Sequence, residues 1–216
     1  MKSYVVSFWS VLVALAPLDI AGCAAGSSTV ISSQTEGPPK SRIDRLVVFA
    51  NFGRGIDEQM SQGFEAGWAN RLNACGVKSV IFHNDVQNLD AGADTDSATQ
   101  RFRPAAILWI DFETGFVDAT AGERKLNFNL KLVDAKSRKP MWHASTRFAV
   151  NTSAASVEDR ENFGVGFATT VVSRLRGDGV LATCPPAGTA WPAVDVASEL
   201  QHRPTLDESK AVARPR

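Results

Sequence analysis

The sequence predicts a two-layer α/β sandwich, in which a mixed sheet of about five strands, in the order β-α-β-α-β-β-β-α, carries its helices on one face. Three observations support this prediction. An apolar run at 45–51 precedes a segment with helical periodicity, as in a β-α unit. Apolar and polar residues alternate over 125–134 and again over 141–150, which indicates strands with one exposed face. A second amphipathic segment follows at 157–176.

The first β-α unit joins 45–51 to a helix expected over 57–74. The strand is apolar at successive positions, which is typical of a strand buried on both faces. The helix has an apolar stripe that recurs every fourth residue, formed by Met60, Phe64, Trp68 and Leu72. Gly63 and Gly67 flank this stripe and would let another element approach closely, and Gly76 is expected to end the helix.

The remaining strands are expected at 77–83 and 105–113, followed by the two alternating segments. A short helix is expected between them, ending before Pro104. The third, fourth and fifth strands are interpreted as an antiparallel meander with one dry and one wet face. Because the wet face shows no obvious cover, both long helices are expected on the dry face.

The second long helix is expected at 157–176. Ser156 and Asp159 have nearly the spacing of a capping box at its start. Its apolar stripe consists of Phe163, Phe167, Val171 and Leu175. Residues 179–182 are interpreted as an added edge strand.

Segment 1–22 is predicted to be a secretory signal. Lys2 is followed by an uncharged apolar run of about fifteen residues, shorter than the roughly 20 that a membrane-spanning helix needs. Ile20, Ala21, Gly22 and Cys23 come next and resemble the lipobox of bacterial lipoproteins. The alternative is a plain signal peptide with a chance cysteine.

The lipobox resemblance implies that Cys23 is acylated and becomes the new amino terminus after cleavage. Two or more acyl chains would hold the protein stably on a membrane. Asp19 departs from the usual apolar or small residues near the cleavage site. In Gram-negative lipoproteins, aspartate directly after the cysteine usually means retention at the inner membrane. Since Ala24 stands there, the outer membrane facing the periplasm is expected.

The rest of the chain is divided by composition into three parts. Segment 23–41, rich in Ser, Gly, Thr and Pro, is interpreted as a flexible tether, 42–184 as the folded α/β domain, and 185–216 as a disordered Pro-rich tail. The chain has 23 basic and 23 acidic residues, so no basic field indicates a nucleic-acid partner.

Two further cysteines remain, Cys75 and Cys184. An even number in an oxidising compartment predicts one disulfide. It would close a loop of about 110 residues, for which the chain-entropy model gives about 4–5 kcal/mol. The alternative is a pair of buried free thiols, because cysteine is often a small core residue.

The order of elements over 42–182 resembles that of one group of envelope proteins. The apolar strand at 45–49, the strand–turn–strand of 127–142 and the Leu-Val-Asp of 132–134 before the turn carry this resemblance. The group comprises the periplasmic domains of the curli-secretion lipoprotein CsgG, the penicillin-binding-protein activator LpoB and the amino-terminal domain of TolB. It implies an envelope role, and a shared fold does not fix a function.

Asp111 and Glu113 are the candidate catalytic pair. On a regular strand they point the same way, about 6.6–7 Å apart, which is a spacing that a hydrolase could use. The alternative is neutralisation by Lys125 or Lys131 on a solvated face.

The wet face of the sheet is the candidate partner surface. It is formed by Trp109, Asp111, Asn127, Asn129, His143 and Arg147. An aromatic among polar groups can bind a glycan or a protein, whereas a plain solvated face is the alternative. The spacing of histidines and cysteines matches no zinc site, so no metal and no cofactor are expected.

Three functional hypotheses follow. The first is a non-enzymatic envelope lipoprotein that binds or assembles a protein or cell-wall partner. The second is a subunit of an oligomeric secretion or cell-wall synthesis complex, although the loop at 114–124 is too short for membrane strands of about 9–11 residues each. The third is a periplasmic hydrolase that uses Asp111 and Glu113.

Overall fold

The computed structural model describes residues 26–36, 42–83, 96, 100–120, 122–151, 156–186 and 188–201. The strands are β1 (Gly26–Thr35), β2 (Arg45–Asn51), β3 (Lys78–His83), β4 (Ala106–Asp118), β5 (Glu123–Asp134) and β6 (Pro140–Asn151). The helices are α1 (Glu58–Ala74), α2 (Val157–Gly177) and the short α3 (Val196–Gln201). Together the strands form one sheet in the order β1-β6-β5-β4-β2-β3. The predicted two-layer α/β sandwich is therefore confirmed.

The sheet is mixed. β2 pairs parallel with β3 on one side and with β4 on the other. β4, β5 and β6 form the predicted antiparallel meander. Parallel pairing of β2 with its neighbours requires crossover connections, and α1 supplies the one between β2 and β3.

Both long helices begin where side chains cap their first turns. The Asp57 side chain accepts a hydrogen bond from the backbone N–H of Met60 and so caps α1. Ser156 and Asp159 form the complete capping box of α2. Both apolar stripes are buried between helices and sheet, as predicted.

The main core is an aromatic cluster centred on Phe167 of α2. Its ring centroid lies 4.7 Å from that of Phe148, 5.1 Å from that of Phe128 and 5.4 Å from that of Phe64. These rings belong to β6, β5 and α1, so one side chain joins the sheet to both long helices. Offset and tilted ring contacts of this kind add to the burial of apolar area.

Glycines allow α1 and α2 to lie against each other. A Cβ at Gly63 would come 2.0 Å from the backbone oxygen of Glu161, and a Cβ at Gly164 would come 2.0 Å from that of Met60. The close approach expected at Gly63 and Gly67 is therefore confirmed. Gly164 is its counterpart on α2.

β1 corrects the prediction of a flexible tether over 23–41. Nine of its ten residues pair antiparallel with β6, from Gly26 opposite Val150 to Thr35 opposite Trp142, with an irregularity between Val30 and Ser32. An edge strand is held by one ladder of backbone hydrogen bonds and does not need a buried apolar stripe, so Ser and Thr suffice. The tether interpretation is therefore wrong for Gly26–Thr35.

A cluster around Asp178 joins β1 to the end of α2. The Asp178 carboxylate accepts hydrogen bonds from Ser33 Oγ at 2.7 Å and from Trp142 Nε1 at 2.7 Å. Arg174 Nε donates to the same carboxylate at 3.1 Å. Desolvation acts to raise the pKa of Asp178, but these hydrogen bonds and the Arg174 charge outweigh it and lower the pKa.

We expect Asp178→Asn to lower the free energy of unfolding at pH 7 by about 1–2 kcal/mol, because bonds to a charged acceptor are lost. A carboxyl with a depressed pKa stabilises the fold above its unfolded pKa, near 3.9, and this contribution disappears as pH falls through the folded pKa. Urea unfolding should therefore show that the free energies of unfolding of the variant and of wild type differ less at pH 3 than at pH 7. An equal difference at both pH values would mean that the charge of Asp178 is not what matters.

The segment after α2 corrects two further predictions. Residues 179–182 form turns rather than an edge strand, because Gly179 has a φ of +74° and redirects the chain. Val180 and Leu181 are then buried in the main core. The described residues 188–201 of the expected disordered tail lie against the helices: Trp191 Nε1 donates to Ser173 Oγ at 3.0 Å.

Candidate binding surface

The outward side chains of β4, β5 and β6 form an exposed polar surface, here called the outer polar face. It consists of Asp111, Thr114, Asn127, Asn129, Lys131, His143, Ser145 and Arg147. Strand register arranges them in rows that cross the sheet. One row is Thr114–Asn127–Arg147 and the next is Asp111–Asn129–Ser145. The structure thus brings together five of the six side chains predicted for the partner surface.

Hydrogen bonds link the neighbouring side chains of the first row. Asn127 Nδ2 donates to Thr114 Oγ1 at 2.9 Å, and Arg147 Nε donates to Asn127 Oδ1 at 3.3 Å. In the second row, Ser145 Oγ donates to Asn129 Oδ1 at 3.1 Å. Cross-strand pairs of this kind hold side chains in place on an exposed sheet.

The two ends of the outer polar face differ chemically. Asp111 is exposed at its rim, yet the packing around its carboxyl removes enough water to raise its pKa. His143 lies beside Lys131 in register, and its Nδ1 is 3.6 Å from the carboxylate of Glu36. The side chains of His143 and Glu36 are both exposed, so their contact contributes little to stability.

Trp109 lies on the same side of the sheet and adjoins this surface, since it stands opposite Lys131 in register, but its side chain is half-buried. Its ring stacks on Phe49 with centroids 4.6 Å apart, and Phe49 stacks on Phe82 at 5.4 Å. The aromatic row is part of a second apolar cluster on the outer side of β2, β3, β4 and the end of β5, which also contains Val47, Ile107 and Val133. The outer face of the sheet is therefore apolar on one half and polar on the other.

Glu113 is placed differently from the sequence expectation. β4 has a bulge between Phe112, which lies opposite Phe128, and Thr114, which lies opposite Asn127. Glu113 is the extra residue and has no partner in register, so Thr114 takes the next outward place after Asp111. The regular two-residue spacing of Asp111 and Glu113, on which the hydrolase hypothesis was based, is absent.

A contact between His83 and Glu65 was not expected from the sequence. His83 ends β3, and its Nε2 contacts Oε1 of Glu65, a buried residue of α1. The His83 ring also lies 5.6 Å from that of Phe52. Glu65 falls between two positions of the apolar stripe of α1, and periodicity alone could not show that it is buried.

Cys75 and Cys184 are joined by a disulfide, as predicted. Cys75 follows the last residue of α1 and is buried. The bridge ties this helix end to the segment after α2, where Thr183 Oγ1 also donates to the backbone oxygen of Cys75 at 2.6 Å. Cys23 lies outside the described residues, and its acylation stays a prediction.

Within the described ranges, no helix has the length and apolar character needed to span a bilayer. The same part of the chain holds no group of three or more His, Cys, Asp or Glu residues that could hold a metal ion.

No protein-family model and no curated protein sequence matches this chain. Among solved structures, it is similar to a PelC dodecamer from Paraburkholderia phytofirmans, with 16% identity and a TM-score of 0.42 over 68% of this chain and 96% of that chain. A DUF330 protein from Xanthomonas campestris has 15% identity and a TM-score of 0.39 over 73% and 94%. A lipoprotein from Neisseria meningitidis has 16% identity and a TM-score of 0.36 over 63% and 97%. Similarities of this size identify neither a family nor an activity.

Proposed function

We propose that this chain is a lipoprotein of the bacterial cell envelope that binds or assembles a partner without catalysing a reaction. Acylation at Cys23 would anchor it to the outer membrane, facing the periplasm. The lipobox-like residues 20–23 support the anchor. The Cys75–Cys184 disulfide supports an oxidising compartment.

The proposed binding role rests on one observation: hydrogen bonds hold exposed side chains of the outer polar face in a fixed arrangement. Asp111, Asn129, His143 and Arg147 are exposed, while neighbouring hydrogen bonds hold the row from Thr114 to Arg147 in one arrangement. Side chains that are already ordered lose less conformational entropy when a partner binds. This surface therefore offers donors and acceptors at a low ordering cost, which suits a polar partner such as a protein or a cell-wall glycan.

A cross-linking pulldown from whole cells, with a tagged full-length protein, tests this proposal. We expect the double variant Asn127→Ala with Arg147→Ala to lower recovery of the partner at least about tenfold, which corresponds to about 1.4 kcal/mol. Lys136→Ala is the matched control, because Lys136 is an exposed cation in the turn between β5 and β6 and lies outside the outer polar face. The control should recover the wild-type amount.

The identity of the recovered protein separates the roles. A peptidoglycan synthase would indicate an activator, and copies of this chain alone would indicate a scaffold or pore. If the double variant and wild type recover equal amounts of the partner, the outer polar face is not the binding site. The anchor is tested separately with Cys23→Ser, which should accumulate as an unprocessed precursor. A processed Cys23→Ser product that still sediments with membranes would refute the lipoprotein assignment.

A further inference from the structure

One end of the domain exposes large apolar side chains. Among the described residues, the large hydrophobic side chains that stand exposed are Phe116 at 47%, Val117 at 60% and Val157 at 52% of their surface. Phe116 and Val117 lie near the tip of the β4–β5 hairpin, and Val157 is the first residue of α2. Isolated exposed apolar residues are ordinary, whereas a group of them at one place indicates an interaction site.

Strand register places the hairpin tip at the same end as the start of β1. Val117 lies opposite Arg124, Arg124 opposite Val150, and Val150 opposite Gly26. These four residues form one row across four neighbouring strands. With strands about 4.8 Å apart, Val117 is about 14 Å from Gly26.

α2 brings Val157 to this end as well. Phe163 of α2 contacts Phe148 of β6, with ring centroids 3.8 Å apart. The other end of the helix lies toward Trp142, which bonds to Asp178 just after α2. Val157 therefore extends beyond Phe163, by about 9 Å for six helical residues, toward the end of β6 that holds Val150.

The position of Cys23 in the sequence argues that the lipid bilayer covers this surface. Only three residue steps separate Cys23 from Gly26, the first residue of β1. Three steps span at most about 10–11 Å. An acyl group on Cys23 would therefore hold this end of the sheet at the bilayer, in place of the distant attachment that an eighteen-residue tether would give.

We infer that this end of the domain rests on the membrane, with Phe116, Val117 and Val157 inserted at the lipid surface. The inference rests on the proposed acylation of Cys23. The acyl chains would provide the attachment, and the apolar side chains would fix the orientation, as they do for other interfacial apolar surfaces. The strands would then point away from the membrane surface. Neither face of the sheet would be covered by lipid.

The charges of the hairpin favour apolar insertion over attraction to anionic lipid. Its tip carries Asp118 and Glu123 against Arg124 and Lys125, which sum to zero. Lys125 Nζ lies 3.0 Å from the Asp118 carboxylate and 3.7 Å from that of Glu123. Its ammonium also lies 5.9 Å from the centroid of the Phe116 ring. Insertion should therefore be insensitive to salt and should not require anionic lipid.

A fluorescent probe on the full-length acylated protein tests the inference. Val117→Cys adds the one thiol available to the dye, because Cys75 and Cys184 form a disulfide and Cys23 is acylated in the proposal. The variant is labelled with nitrobenzoxadiazole and reconstituted into vesicles of neutral phosphatidylcholine, with and without doxyl-labelled lipid. We expect blue-shifted emission, at least about twofold quenching by doxyl lipid, and no change when salt is raised from about 0.1 to 1 M.

Lys136→Cys is the matched control, since it lies at the opposite end of β5, and its label should remain in water. Val157→Cys is a second probe on another element. The inference would be overturned if the protein binds the vesicles but the labels at 117 and 157 are as exposed to water as the label at 136. This result would leave the anchor intact. A blue shift without doxyl quenching would also overturn it, because the surface would then be covered by protein, such as a second copy. An unmodified Cys23 by mass spectrometry, with protein that does not sediment, would refute the anchor itself.

Discussion

Replacing Gly164 by alanine should lower the free energy of unfolding by about 3 kcal/mol or more, because it overpacks the contact between α1 and α2. The added Cβ would come 2.0 Å from the backbone oxygen of Met60 and 2.5 Å from the backbone nitrogen of Phe64. Backbone atoms cannot turn aside as the end of a flexible side chain can. The helices would have to separate, and the packing of Phe167 against Phe64 would loosen with them.

Gly166→Ala is the control for this prediction. Gly166 lies two residues further along α2 and is exposed, and a methyl group added there would meet no atom within 4 Å. Alanine favours a helix over glycine by up to about 1 kcal/mol, so this variant should be as stable as wild type or more stable. Urea unfolding followed by circular dichroism measures both. A similar small change for both variants would mean that the helices are not in close contact at Gly164.

The elements that could be predicted from the sequence are those with a strong periodic signal. The stripe from Phe163 to Leu175 specifies a helix because only a 3.6-residue period places these residues on one face. The alternation in β5 specifies a strand by the same argument with a period of two. The capping box at Ser156 could be read directly from two residue types at a fixed spacing.

β1 could not be found in this way. An edge strand needs only backbone donors and acceptors to pair, so Ser- and Thr-rich sequence serves as well as an apolar stripe. Its position depends on distant residues, since Ser33 is held by Asp178 and Arg174. Such contacts depend on the tertiary fold, which local composition does not contain.

Two features of the sheet could not be predicted from the sequence, the place of Glu113 and the partial burial of Trp109, and they have separate causes. The bulge at Glu113 reverses the alternation of β4, and its sequence signal is Gly115, where a Cβ would come 2.9 Å from Leu126. Trp109 is on the predicted face but half-buried, because the apolar run of β2 requires cover on both sides. Phe49 had to face some apolar neighbour there, and Trp109 is that neighbour.

The two proposed surfaces are compatible in one orientation. The hairpin tip near Phe116 lies at the end of the strands, while the row from Thr114 to Arg147 lies on their outward side. If the domain rests on the bilayer at this end, the outer polar face would face the surrounding water and not the lipid. Partner binding and membrane contact would then not compete for the same residues.

Removing the disulfide with Cys75→Ala and Cys184→Ala should lower the free energy of unfolding by about 4 kcal/mol, since the bridge closes a separation of 109 residues. The reason is that a cross-link over so long a segment restricts the unfolded chain strongly. Alanine avoids placing an unpaired hydroxyl at Cys75, which is only 1% exposed. Urea unfolding at pH 7 measures the difference.

Reduction provides the matched comparison. Dithiothreitol should lower the stability of wild type by a similar amount and should leave the double variant unchanged. A wild-type unfolding midpoint that does not move under reducing conditions would show that the bridge contributes nothing. Since folded domains are typically stable by about 5–15 kcal/mol, a loss of this size would leave the domain marginal in a reducing compartment. The bridge would then make full stability depend on the oxidising side of the membrane, where the proposed anchor would place the domain.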